Sequence, residues 1–450
     1  MKRLFFLLSV LFVSCNTSDV ITNPESLDQK LEDALIKASG NKGKTFYKFP
    51  DAGDLSGIPQ DPRNPLTPEK VRLGQMLFHE TALGRNPKLE AGTGTYSCAS
   101  CHHAKAGFQA GIPQGIGEGG LGYGVHGEGR YQSTQYSDSE IDIQPIRTPS
   151  AMNMAYQTNI LWNGQFGGTH LNLGTEANWT TETPKEKNKL GFEGVETQAL
   201  AGRDVHRLII DKMIIENTGN YKELYTAAFD AASLNDPVVL KNNGALAIAA
   251  YERSLLANES PFQLWLRGNT NALTDDEKEG AILFFGKAEC SSCHNGPSLA
   301  NMEFHALGMN DLHNGSYGDN QVVGITNDKP EHKGRGGFTG RDEDMFKFKV
   351  PQLYNLTDSP FFGHGASFNT VKDVILYKNA ALAENAKVPV AKLDPAFKPL
   401  GLSETEIDQI TAFIEKGLHD PNLDRYVPAA IPSGFAFPNN DAQSRIDLGF

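Results

Sequence analysis

The chain has 450 residues, 39% of them apolar, and a formal charge of −13 at pH 7. That is enough apolar material for a sizeable core in about two or three domains, and the acidic balance argues against nucleic acid as a partner, because such a surface repels phosphate. Beyond the first residues no stretch approaches the roughly 18 to 20 apolar positions that a membrane span requires.

The chain opens MKRLFFLLSVLFVSC, in which two basic residues precede an apolar run from Leu4 to Val13 and small Ser14 precedes Cys15. This is the anatomy of an export signal. Ending on cysteine, residues 1–15 resemble a bacterial lipoprotein signal, so Cys15 is expected to carry a lipid anchor on a periplasmic or cell-surface protein. Plain cleavage, with Cys15 discarded or left free, is the alternative. Residues 16–55 are polar and read as a tether plus a short helix.

A first helix is predicted in LTPEKVRLGQMLF, residues 66–78, where Thr67 stands as cap before Pro68 and Glu69. It leads into SCASCHH, which holds Cys98, Cys101 and His102. Residues 104–145 are rich in Gly, Gln and Ser and read as long ordered loop. RTPSAMN, LWNGQ and the helical stretch ALAIAAYERSLL follow. Then LTDDEKEGAILFF, residues 273–285, repeats the Thr cap, the acidic first turn and the Gly-x-x-Leu-Phe ending of the first helix, ahead of CSSCHNG with Cys290, Cys293 and His294.

With Cys15 set aside, every remaining cysteine lies in a CxxC pair followed by histidine. In an exported chain this is the attachment pattern of c-type haem: two thioether bonds hold each porphyrin, and the adjacent imidazole ligates iron. A four-thiolate zinc site or disulfides are the alternatives. The internal repeat predicts two cytochrome c-like units, residues 56–265 and 266–450, in a mostly α fold with long loops and little β. The two covalently bound haems supply apolar burial that the loops lack.

In their order along the chain, NPLTPEKVRLGQMLF, SCASCH, RTPSAMN, LWNGQ, ETQAL, AIAAYERSLL, CSSCHNGP and FKVPQLYNLTDSPFFGHG resemble the bacterial di-haem cytochrome c peroxidase and MauG family. The resemblance implies a peroxidatic first haem with His102 as proximal ligand and an electron-relay second haem with His294. It also implies that Trp162 bridges them, whereas on the residues alone a packing role for this indole stands equal. Gap-free alignment past SPFFGHG sets Tyr377 where relatives carry the sixth ligand of the second iron; covering a propionate near His364 is its alternative, and Met345 is the next residue to consider. Relatives place a Pro and a catalytic Glu after the Gln-Ala run, where this chain reads QALAGRDVHRLI. Gln198, Arg203 and His206 stand there instead, and Glu196, His206 and His126 are candidates for distal ligand or proton shuttle. His103, His305 and His313 read as structural or surface residues. Pro360 matches a position whose carbonyl lies at an interdomain calcium.

The expected activity is reduction of hydrogen peroxide to water with electrons from a small cytochrome or cupredoxin, two haems holding the two oxidising equivalents between them. A MauG-like oxidase acting on a partner protein's Trp or Tyr, and a non-enzymatic di-haem electron carrier, are the competing readings.

Overall fold

The computed structural model describes residues 25–312, 322–326 and 329–450. The expected export signal with Cys15, and His313, lie outside these residues. Helices α1 (Leu27–Ala38) and α2 (Pro68–His79) precede the first CxxCH motif. Between the motifs run α3 (Gly194–Val205), α4 (Lys212–Asn217), α5 (Tyr221–Ala228), α6 (Pro237–Ser254), α7 (Pro261–Leu266) and α8 (Asp275–Phe285). Helices α9 (Arg335–Thr339), α10 (Val371–Ala380), α11 (Glu404–Ala412) and α12 (Ala442–Leu448) follow. Strand β1 (Gly120–Leu121) pairs antiparallel with β2 (Tyr131–Gln132), and β3 (Phe304–His305) with β4 (Phe348–Lys349). The fold is mostly α, as the sequence predicts, and long loops join its elements. Among the described residues no helix is long and apolar enough to cross a membrane.

The sequence repeat has a packing cause. Thr67 Oγ1 accepts the Lys70 N–H at 3.2 Å and Thr274 Oγ1 accepts the Glu277 N–H at 3.3 Å, so the same hydroxyl cap starts α2 and α8. Further along each helix stands a glycine against a neighbouring backbone. A Cβ on Gly74 would lie 1.9 Å from the Ala247 carbonyl oxygen of α6, and one on Gly280 would lie 1.9 Å from that of Gln409 in α11. Only glycine lets α2 rest on α6, and α8 on α11, at backbone distance. Gly-x-x-Leu-Phe is therefore one helix crossing made twice.

The expected boundary at 265/266 separates the two haem motifs, but two segments cross it. Helix α1 lies within the stretch read as tether plus short helix, and it packs on α8: Asp28 accepts the Trp265 indole N–H at 2.6 Å and pairs with Lys278 at 2.9 Å. The C-terminal tail returns to the first motif, where Ser97 and Ser100 hydroxyls donate to the Pro438 carbonyl at 2.9 and 3.2 Å. Asp447 accepts the Tyr123 N–H at 2.7 Å. One apolar core runs through both halves, from Leu73 and Ile248 to Phe284, Ile410 and Phe413.

Candidate active site

The two motifs fold alike. Short turns at Cys98–Ser100 and Cys290–Ser292 carry the first cysteine of each pair, and the N–H of His102 and of His294 closes each turn on Cys98 and Cys290 carbonyls at 3.2 and 2.9 Å. His102 Nδ1 donates to the Phe108 carbonyl at 3.2 Å, and His294 Nδ1 to that of Leu299 at 3.0 Å. Phe108 and Leu299 both adopt left-handed backbone, φ 54° and 48°, a costly conformation for such side chains. The recurrence of that strain in both units ties it to carbonyl placement. A carbonyl on Nδ1 fixes the proton there and leaves Nε2 free as a ligand. Burial draws both imidazoles down to about 4, so they are neutral, the form that binds a metal.

All four cysteines are free of disulfides. Nor do they converge as a zinc site would require: among the described residues, the His, Cys, Asp and Glu atoms close enough to share one ion are those of Cys293, Glu303 and His305. His305 is held by Asp394 through Nδ1 at 2.7 Å, and the one thiol of that group belongs to an attachment pair.

Both motifs and Trp162 line a single cavity of about 690 Å³. The Trp162 indole N–H donates to the Arg147 carbonyl at 2.9 Å, while the Trp162 carbonyl accepts the Lys349 N–H at 2.7 Å. Arg147 and Lys349 occupy matching stations. Each stands two residues before a proline, Pro149 or Pro351, whose carbonyl also bonds the proximal histidine of its own unit.

The lining suits haem in charge as well as shape. Lys349 is 7% exposed and Arg147 2%, and among the described residues neither pairs with a carboxylate. Lys349 Nζ donates to Gln157 Oε1. Burial pushes Lys349 down to about 7 and Arg147 to about 9. Arg203, also on the cavity, is lowered to about 10 by burial; its Nη1 lies 3.4 Å from Asp204 Oδ1, while its Nε lacks a hydrogen-bond acceptor. Unpaired buried cations cost several kcal/mol each, and an anionic group in the cavity offsets that. Haem brings two propionates with its apolar ring, so paired thiols, neutral imidazoles, apolar walls and lone cations fit the cofactor together.

Other expected site residues divide by position. Gln198, Arg203 and His206 line the cavity from α3 and its C-cap. His206 Nδ1 bonds Asp142 Oδ2 at 2.8 Å. Burial alone would lower this imidazole, but the charge and hydrogen bond of Asp142 outweigh it and raise its pKa. His206 also acts electrostatically on His102, across the same pocket.

Glu196 does not face the cavity. Its carboxylate is fully buried, bonded by the Arg253 guanidinium at 2.6 and 2.7 Å, and serves as an ion-pair anchor. His126 sits on an exposed loop with Nδ1 on the Lys105 carbonyl at 3.0 Å, also off the cavity. Tyr377 is turned away as well. Its hydroxyl donates to the Leu307 carbonyl at 2.5 Å, and its ring packs on Phe368 and Phe397. The cavity stripe of α10 is Val371, Val374, Ile375 and Lys378, with Met309 close by, whereas Met345 packs beside Gly336. Sequence reasoning missed Arg147, Lys349 and Asp142; the signal for the first two was the cation-x-Pro pattern of RTP and KVP.

Residues 68–271 match the family model described as di-haem cytochrome c peroxidase. The chain is 26% identical over 361 residues to the methylamine utilization protein MauG of Methylorubrum extorquens, covering 80% of each chain. It is 27% identical to the cytochrome-c peroxidase IdrP1 of Denitromonas iodatirespirans, over 82% of this chain and 86% of that one. Cytochrome c peroxidase Ccp of Escherichia coli is 28% identical over 68% of this chain and 52% of its own. Among solved structures, a MauG-like protein associated with microbial copper homeostasis superposes with a TM-score of 0.55 at 21% identity, covering 83% of this chain and 96% of that one, a likeness of fold.

Proposed function

We propose that this chain, which is similar to di-haem cytochrome c peroxidases, is an oxidoreductase of that kind that reduces hydrogen peroxide to water with electrons from a small cytochrome or cupredoxin. The observation that carries the reading is the pair of matching proximal-histidine cradles on one cavity, with Trp162 tied to both. When bound, the haems supply the iron at which peroxide is reduced and a store for the second oxidising equivalent. Cys98 with Cys101, and Cys290 with Cys293, would form the thioethers. His102 and His294 would ligate through Nε2, each steadied by its carbonyl partner. Lys349 and Arg203 would face the propionates.

Proton transfer falls to His206. Its bond to Asp142 supports an imidazolium that can give a proton to the departing oxygen and recover one from solvent. Gln198, on the same wall, can hold peroxide by hydrogen bonds without titrating. An indole between the two units shortens the gap electrons must cross. Export with a lipid anchor at Cys15 completes the proposal, supported by the N-terminal pattern alone.

The test uses protein matured with a cytochrome c assembly system. Pyridine haemochrome should report two covalent haems per chain, and stopped-flow mixing with peroxide should change a high-spin haem while a reduced small cytochrome or cupredoxin is consumed. Two low-spin haems inert to peroxide would sink the enzyme reading in favour of a carrier. Consumption of peroxide only with oxidation of a partner's Trp or Tyr would favour a MauG-like oxidase.

A further inference from the structure

We propose that the Arg147 guanidinium is the fixed cation at the junction of the two haem units, standing where the family resemblance would set a calcium ion; this rests on the di-haem reading. The junction is built around that side chain. Nη1 donates to the Ile112 carbonyl at 3.2 Å, and Nη2 donates to Gln109 Oε1 at 2.9 Å and to Ser359 Oγ at 2.7 Å. Gln109 and Ile112 belong to the loop after the first motif; Ser359 immediately precedes Pro360 in the second unit. The guanidinium carbon also lies 5.5 Å from the ring centre of Phe361, so the side chain meets the residues on both sides of Pro360. The Arg147 backbone N–H adds a bond to the His364 carbonyl at 2.9 Å.

This donor set does not suit calcium. The ion takes six to eight oxygens, carboxylates among them, at about 2.3–2.6 Å. Here the oxygens are neutral, they already accept N–H bonds from a cation, and Ser359 Oγ spends its own proton on the Ala110 carbonyl at 2.8 Å. Pro360 itself is exposed. A dication placed beside the guanidinium would be repelled by it. The guanidinium is covalently part of the chain, so this junction keeps its cation under chelating conditions that would strip a metal ion.

The holoprotein, dialysed against EGTA and then against chelator-free buffer, is measured for calcium by elemental analysis, for haem by pyridine haemochrome, and for resting spectrum and thermal melting with and without added calcium chloride. No retained stoichiometric calcium and no response of spectrum or melting to EGTA or calcium is expected. Stoichiometric calcium whose removal alters the haem spectrum would overturn the proposal. Arg147→Gln is expected to melt at lower temperature, and a variant as stable as the parent would equally overturn it. If Arg147→Gln fails to mature, Ser359→Ala, lacking one of the three acceptors, should show a smaller loss in the same direction, and no loss counts against the proposal. Haem content below two per chain would instead indict the di-haem reading.

Discussion

Replacing Lys349 by methionine separates two electrostatic situations by the sign of the result. Burial lowers this ammonium from 10.5 to about 7; at about 1.4 kcal/mol for each tenfold change in the ionisation constant, keeping it charged inside a wall of protein alone costs about 5 kcal/mol. Methionine keeps most of the stem and removes the charge. If a haem propionate neutralises Lys349, Lys349→Met strands a buried carboxylate and the holoprotein should lose about 3–5 kcal/mol. If nothing neutralises it, the same change should relieve the penalty and stabilise by up to about 5 kcal/mol. Guanidinium unfolding of holoprotein at pH 6, followed at the haem absorbance, reads the difference. The pH dependence gives a second handle. An uncompensated lysine with lowered folded pKa makes stability rise between pH 7 and 10.5, because the unfolded chain holds the proton longer. A compensated one leaves the parent-minus-variant difference flat across that window. A variant more stable than its parent, or a parent whose advantage grows with pH there, refutes the propionate role.

Asp142→Asn removes the charge that raises the His206 pKa, so the alkaline limb of peroxide turnover, lost as pH rises through the folded pKa, should move to lower pH; an unmoved kcat/KM profile would exclude the dyad. Tyr377→Phe should leave the second haem's spectrum unchanged, since its hydroxyl is spent on Leu307, and a shifted spectrum would return the residue to the iron. Trp162→Phe loses its 2.9 Å bond to Arg147 but touches no proximal ligand, so resting spectra should persist while stopped-flow traces show slower transfer between haems; equal rates argue for a packing role. Gly280→Ala puts a Cβ 1.9 Å from the Gln409 oxygen, and melting should fall by an amount corresponding to about 1–3 kcal/mol; an unaltered melt would mean that the α8–α11 crossing tolerates separation.

The two CxxCH motifs are legible because the attachment chemistry expected of them fixes their spacing, and the repeat because the same helix crossing demands the same glycine twice. Residues whose roles depend on distant partners were not. Glu196 looked catalytic until Arg253, 57 positions along the chain, closed on it. His126 sits in a glycine-rich loop whose path no periodicity reveals. Tyr377 failed for another reason: alignment fixes position along a helix, yet each residue turns about 100° around it, so the neighbouring Lys378 takes the cavity face. Buried cations such as Arg147 and Lys349 resemble surface charge in composition, and only their common offset from a proline marks them.

That common offset also explains how the two units hold their relative placement. Trp162 donates through its side chain to the Arg147 station and accepts through its backbone from the Lys349 station, while Arg147 reaches Ser359 across the junction. Sliding one unit past the other would break at least one of these bonds, and each broken bond would leave a buried polar group costing about 1–3 kcal/mol. Mutual geometry is thus set by backbone carbonyls and N–H groups at the bridging indole, with the segments α1 and 431–450 strapping each half to the other. The proposed relay would need a fixed separation, and on that proposal the tryptophan inside this joint would be both structural tie and electron path.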